Sequence, residues 1–219
     1  MIVIKLFSGC ILHHRNPFIS SNTAIKMAYD DKDIEIKIRL TETEFLMIKE
    51  KLAKIAQFQN KSDQMDKYFM PPNKNFLEPK YPFEWLSLRK RDEKVQLTYK
   101  HFYPENEKIR THCDELETDI LNLEQFEKTL RALDFKELIT IKKERDVWIF
   151  DEFEIALDIV KDLGYFIEIE ALKDFGGIEE TRKKLLNFAI LLGADISRIQ
   201  KGNYPFLLLE KKGIVKSMD

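Results

Sequence analysis

Between Asp33 and Leu40 the chain alternates strictly, with charged residues at 33, 35, 37 and 39 and apolar ones at 34, 36, 38 and 40. A period of two predicts a strand with one apolar face. Thr41 and Glu44 follow as a capping box, and Phe45, Ile48, Leu52 and Ile55 recur at helical spacing. A strand is expected at Gln64–Phe69, and four prolines confine Met70–Pro82 to a loop. Phe83–Arg91 and Lys94–Phe102 read as a hairpin turning at Asp92-Glu93. The pattern then starts again. Asp114–Leu121 alternates, Asn122 and Gln125 form a second cap pair, and Leu123, Phe126, Leu130 and Leu133 mark a helix. Strands at Leu138–Phe150, Glu152–Ile159 and Tyr165–Leu172 follow, then a helix from Ile178 to Leu192 that stops at Gly193. Asn203–Glu210 reads as one more short strand. Two strand–helix–strands units suggest an internal pseudo-twofold. Their linker, Tyr103–Thr111, is too short to separate domains, so residues 30–219 are expected to form one α+β domain. Residues 1–29 contain no acid and stand apart as an N-terminal extension.

The polar faces carry sorted charges. Asp33/Glu35, Glu115/Glu117/Asp119 and Glu168/Glu170 are acids two residues apart, and Lys37/Arg39, Arg89/Arg91 and Lys143/Arg145 are cations at the same spacing. Such pairs sit about 7 Å apart on one face of a strand. Lys100 adds a cation on the second hairpin strand. The apolar faces, Ile34/Ile36/Ile38/Leu40, Leu116/Ile120 and Ile167/Ile169, are expected to meet helices. A sheet of this kind is either flat and wet or curled around a polar interior, and periodicity leaves both open. A curled interior suits a polyphosphate with a divalent metal: cations take phosphate oxygens and carboxylates take the metal.

Composition narrows the alternatives. Lys and Arg number 36 against 38 Asp and Glu, a net charge of −2, which gives no global field for nucleic acid. No DNA partner is expected. No apolar run approaches the roughly 18 residues of a membrane span. Cys10 and Cys113 cannot build a disulfide framework, so a reducing, cytoplasmic setting is expected. The acid-free start leaves an organellar presequence open. Neither a P-loop nor a Rossmann glycine pattern is present among the seven glycines.

Asp33-Ile-Glu-Ile-Lys37 resembles the E-x-E-x-K opening strand of the CYTH superfamily, which takes in class IV adenylate cyclases, thiamine triphosphatases and related triphosphate tunnel metalloenzymes. The resemblance continues in order. Asp66-Lys-Tyr-Phe69 is similar to D-x-Y-[YF], Leu88-Arg-Lys-Arg91 to L-R-x-R, and Leu97-Thr-Tyr-Lys100 to L-T-Y-K. Glu115-Leu-Glu117 resembles the central E-x-E, and Lys143-Glu-Arg145 resembles K-x-R. Ala156-Leu-Asp158 followed by Leu163–Glu170 resembles A-L-D…L-G-x-F-x-E-I-E.

This resemblance implies an eight-stranded antiparallel β-barrel forming a polar tunnel, with helices packed outside. It implies a triphosphate-bearing small molecule as ligand and Mg²⁺ or Mn²⁺ as cofactor. Lys37, Arg39, Arg89, Arg91, Lys143 and Arg145 would hold phosphate, and Asp33, Glu35, Glu168 and Glu170 the metal. Glu115, Glu117 and Asp158 would be supporting acids, and Lys100 with Tyr68 the pair that activates water. Asp33 stands where the family has Glu, Cys113 where many members have a base, and Met70 where triphosphatases often have Asp. The expected activity is hydrolysis of tripolyphosphate, thiamine triphosphate or a nucleoside triphosphate. Adenylate cyclase chemistry and non-catalytic polyphosphate or nucleotide binding remain the alternatives.

Other signals carry less. Asp174-Phe-Gly176 lacks the companions of a kinase motif and reads as a loop before a helix. His13, His14, His101 and His112 lack partners at zinc spacing. His112 neighbours Cys113 in sequence and so faces the other side of a strand, which leaves that thiol without a base. Trp85 shares parity with Arg89 and reads as packing, with stacking on a substrate ring as the alternative. Lys49, Lys51, Lys54 and Lys61 read as a solvated face.

Overall fold

The computed structural model describes residues 32–105 and 107–217; the expected extension at 1–29 lies outside them. The elements are β1 (Lys32–Asp33), β2 (Glu35–Leu40), α1 (Glu42–Ile55), β3 (Gln57–Met70), β4 (Glu84–Arg91), β5 (Lys94–Tyr103) and β6 (His112–Asp119). They continue with α2 (Leu123–Ala132), β7 (Lys136–Phe150), β8 (Phe153–Val160), β9 (Gly164–Ala171), α3 (Ile178–Leu192), a 3₁₀ turn (Ile196–Arg198) and α4 (Tyr204–Lys211). No helix among the described residues is long and apolar enough to cross a membrane.

All pairings are antiparallel, in the order β1-β6-β5-β4-β3-β7-β8-β9-β2. The two ends of that order, β1 and β2, are separated in the chain by Ile34 alone. Counted as one interrupted strand, they reduce nine strands to eight, and the curled sheet's two edges meet on a single segment. Exchanging β2 with β6, β3 with β7, β4 with β8 and β5 with β9 reproduces the strand order. The repeat in the sequence is therefore a repeat in the topology.

Local chemistry sets the element ends. The Thr41 hydroxyl accepts the Glu44 N–H while the Glu44 carboxylate accepts the Thr41 N–H at 2.7 Å. Asn122 accepts the Gln125 N–H at 3.0 Å. Gly193 ends α3 at φ 99°, in the left-handed region that a side chain would strain. Asp174 accepts N–H groups from Gly176 and Gly177, so Asp174-Phe-Gly176 is a loop ahead of α3.

Three helices cover the outside. Phe45, Ile48 and Leu52 of α1 and Leu185, Phe188, Ala189 and Leu192 of α3 pack on Ile36, Ile38, Ile155, Ile167 and Ile169. Leu130 of α2 packs with Phe69 and Leu88. The stripes are shorter than the sequence suggests. Ile55 is the last residue of α1 and Leu133 caps α2, and both are exposed where the chain turns away. Leu116 is exposed because the last four residues of β6 are uncovered.

The fourth helix corrects the expected strand at Asn203–Glu210. Asn203 caps it by accepting the Phe206 N–H, and Pro205 sits in its first turn, where a missing N–H costs nothing. Every residue from Tyr204 to Leu209 is buried. A helix apolar all round shows no 3.6-residue stripe, so a short apolar run cannot be told from a buried strand. The helix packs against Ile139, Ile141, Val160, Phe166 and Trp85. By register these share the face that bears the charges. The helix therefore fills part of the barrel interior.

Candidate functional site

Strand register carries the sequence's charge pattern around the barrel. Glu35 faces Glu170 and Lys37 faces Glu168 across β2–β9. Arg145 faces Asp158 across β7–β8, and Lys100 faces Glu115 across β5–β6. Asp66 faces Arg89 across β3–β4. Each partner has the same parity, so these side chains project to one face.

Two ion-pair groups result. In the first, Asp158 is fully buried and takes both Arg145 Nε at 2.7 Å and Nη2 at 2.6 Å. The same carboxylate accepts Lys143 Nζ at 2.9 Å and the Tyr204 hydroxyl at 2.7 Å. Arg145 also contacts Glu168, which is paired with Lys37 at 2.9 Å. Lys37 and Lys143 lie over the Tyr204 ring, 4.4 and 4.9 Å from its centroid. In the second group, Arg91 Nη1 reaches Asp66 Oδ1 at 2.5 Å, and Arg89 Nη1 bonds Glu115 at 2.8 Å and Glu117 at 3.1 Å. Lys100 pairs with Glu115 at 2.8 Å. The groups share a field: Asp66 acts on Lys143, and Glu35 acts on Lys100.

Arg39 joins neither group. Its Nη1 donates to the Leu163 carbonyl at 2.7 Å and its guanidinium covers the Phe166 ring at 4.8 Å, at the end filled by α4. Asp33 is placed through its backbone, opposite Cys113 in β6; its side chain lies outside the described residues. Cys113 is buried and His112 stacks on Tyr103 at 5.3 Å, on the other face. Trp85 is buried edge-on to Tyr68 at 5.8 Å, as packing requires.

The electrostatics distinguish the interior lysines. Neighbouring cations favour loss of a lysine's proton, which is what a base at Lys100 would need. Burial does favour that loss, but Glu115 outweighs it and holds the Lys100 ammonium above its usual range. Lys143 is the lysine that behaves as expected: burial and Arg145 bring it down to about 8. Burial pushes the Tyr68 phenol up, so it stays protonated. Burial alone would raise Glu168, yet Arg145, Lys37 and Lys143 hold it well below the usual carboxylate range. Asp66 and Asp158 are lowered likewise, by Arg89 with Arg91 and by Arg145 with Lys143.

A stability prediction follows. These three carboxylates have folded values below the unfolded values of about 4. Their contribution is complete above that range and is lost as pH falls below it toward the folded values. Urea melts from pH 6 to pH 3 should show stability falling steeply below about pH 4. A flat profile there would contradict the ion-pair network.

A hard divalent cation fits one part of this face. Glu35, Glu170 and Glu154 lie directly opposite one another across β2, β9 and β8. Like charges in that position repel; Lys37, 3.9 Å from Glu35, offsets part of this, and a divalent cation would add to it. No three His, Cys, Asp or Glu residues among the described residues already gather at coordination reach. Mg²⁺ is commonly held by one or two carboxylates plus substrate phosphates, so the Glu35–Glu170 pair suffices as a donor set.

Three contributors escaped sequence reasoning. Asp66 was legible, since it lies two residues before Tyr68 on the same face. Glu154 shares the parity of Asp158 and could have been found the same way. Tyr204 gave no signal, because its contact with Asp158 depends on where α4 docks.

Comparison with known proteins places this geometry. A family model described as the CYTH domain matches residues 31–202. A protein of Methanocaldococcus jannaschii named Putative adenylate cyclase MJ0240 is 31% identical over 163 residues, covering 74% of this chain and 88% of its own. The structure of PH1819 from Pyrococcus horikoshii superposes at TM-score 0.68 with 30% identity, over 82% of this chain and 99% of that one. A Hippeastrum protein named Putative adenylyl cyclase HpAC1, described as revealing a dominant triphosphatase activity, shares the fold at TM-score 0.61 and 15% identity, over 87% and 99% of the two chains.

Proposed function

The chain belongs to the CYTH domain family, and on that premise we propose that it is a divalent-metal-dependent triphosphatase acting on a triphosphate-bearing small molecule inside the barrel. The observation that carries this reading is the convergence of Lys37, Arg89, Arg91, Lys100, Lys143 and Arg145 on one face, beside the opposed Glu35 and Glu170. Six cations on a concave surface match the oxygens of a chain of phosphates. Their carboxylate partners keep them ordered until substrate oxygens replace those partners.

In this proposal Lys37, Arg89, Arg91 and Arg145 bind phosphate oxygens, and Arg39 stays at the end where α4 packs and orients Phe166. Asp33, Glu35, Glu168 and Glu170 are the proposed metal side. Of these, Glu35 and Glu170 are best placed, because Glu168 is already committed to Lys37 and Arg145. Bound Mg²⁺ or Mn²⁺ would neutralise charge developing on the phosphates. Lys100 acts as a fixed cation rather than a base, held protonated by Glu115, with Glu117 and Asp158 orienting the neighbouring guanidiniums. Lys143, brought to about 8, is the better candidate to accept a proton from water. Tyr68 stays protonated and donates.

Adenylate cyclase activity is the second reading, favoured by the name of the Methanocaldococcus relative. There the ribose 3′-hydroxyl attacks and pyrophosphate leaves. The two readings part on products. With Mg²⁺ or Mn²⁺, phosphorus NMR should show orthophosphate released from tripolyphosphate, thiamine triphosphate or ATP. Cyclic AMP and pyrophosphate from ATP, with tripolyphosphate left intact, would replace the first reading by the second.

A further inference from the structure

The interior cations other than Arg39 each sit on a carboxylate. At the seam where β2 approaches β6 the balance changes. A cavity of about 150 Å³ opens there between residues 109–113, the strap 199–203 that leads into α4, and α3. Among the described residues its lining has four cations, Lys37, Arg110, Arg182 and Lys201, against a single carboxylate, Glu35. Gly202 lets the strap lie on α4: a Cβ there would fall 2.7 Å from the Phe206 ring.

Two of these cations lack an acid. Arg110 spends its Nη atoms on the carbonyls of Pro104 at 2.8 Å and Tyr81 at 2.6 Å, and its Nε is buried with no partner. Arg182 Nη1 donates to the Arg110 carbonyl at 3.4 Å. No carboxylate among the described residues lies within ion-pair reach of either guanidinium. Burial lowers both from the usual arginine value, and nearby acids offset this only in part. Two partly desolvated positive groups lining one cavity without an acid in ion-pair reach are costly, and an anion in that cavity reduces the cost.

We propose that the seam cavity is an anion subsite in which Arg110 and Arg182 receive a phosphate group, forming a vestibule through which a triphosphate passes to Lys37. The choice of phosphate as the anion rests on the function proposed above. The vestibule is continuous with the interior, because Lys37 and Glu35 border both. It differs from the interior in kind: its arginines stand ready for an anion, whereas the interior cations must first exchange their carboxylates.

The test uses the full chain and inorganic tripolyphosphate, titrated calorimetrically with a chelator present so that binding is read without turnover. Arg182→Met should weaken binding about tenfold, the loss of one charge-assisted contact, and Arg182→Lys should restore most of it. In anion-free buffer Arg182→Met should leave Tm unchanged or raised, since an uncompensated charge is removed. Wild-type protein that does not bind tripolyphosphate, or a variant with unchanged affinity and a lowered Tm, overturns the proposal. So does a loss of ATP affinity alone, which would assign the cavity to the nucleoside. The function proposed above fails separately: wild-type protein that binds tripolyphosphate, loses affinity on Arg182→Met, and releases no phosphate keeps the vestibule and removes the hydrolase.

Discussion

Replacing Glu35 or Glu170 by glutamine is expected to lower kcat for triphosphate turnover by about 10²-fold or more. The two glutamates are direct cross-strand partners, and β8 adds Glu154 on the next strand. Glutamine keeps the size of each side chain and removes the charge that a hard cation requires. A loss of that size corresponds to a few kcal/mol of transition-state charge stabilisation, which is what one well-placed electrostatic group supplies. The substitution also takes a negative charge away from the buried Lys37 ammonium, 3.9 Å from Glu35, so folding is checked separately from activity. A circular dichroism spectrum matching wild type should separate loss of activity from loss of fold. Excess EDTA should abolish turnover and added Mn²⁺ or Mg²⁺ restore it. Full activity in EDTA, or a glutamine variant with unchanged kcat, would remove the metal from the mechanism.

Asp158→Ala is expected to have the largest effect on stability. This carboxylate is fully buried and is the common partner of Arg145, Lys143 and the Tyr204 hydroxyl. Removing one partner of a buried ion pair costs about 3–5 kcal/mol, because the remaining charge stays buried without compensation. For a chain of this size that corresponds to a Tm loss of roughly 6–20 °C. The loss should shrink as pH rises toward about 8 and level off above it, because without Asp158 Lys143 sheds its proton at lower pH than in the intact protein. Calorimetry at pH 7 and pH 9 checks both the size and the trend. A loss below about 1 kcal/mol at pH 7 would mean that Asp158 is not the hub of the group. The same variant should also free Tyr204 and loosen α4, which touches the charged face through that hydroxyl.

Much of this arrangement was legible in the chain. Strict alternation from Asp33 to Leu40 decided which face of β2 would be apolar, because side chains on a strand point alternately to its two sides. The same parity puts Glu115 with Glu117, Lys143 with Arg145 and Glu168 with Glu170 on one face of their strands. Capping at Thr41 and the stop at Gly193 are local events, settled by hydrogen bonds and backbone angles within a few residues. The repeat in the pattern likewise announced the repeat in the topology.

Alternation could not say whether the sheet is flat or curled. That follows from Ile34, the single residue between an edge strand paired to β6 and one paired to β9, and pairing between distant strands has no local signal. It could not find the helical state of Tyr204–Lys211, where burial on every side erases periodicity. Nor could it give the charge around Lys100, because the proton affinity of a buried lysine depends on which charges lie near it in space, here Glu115. The sequence by itself therefore determined the faces, the caps and the residue types available for chemistry. Tertiary structure alone decided which acid neutralises which cation, which arginines are left without one, and which lysine is brought near neutrality. Those outcomes depend on distance and desolvation across strands far apart in the chain.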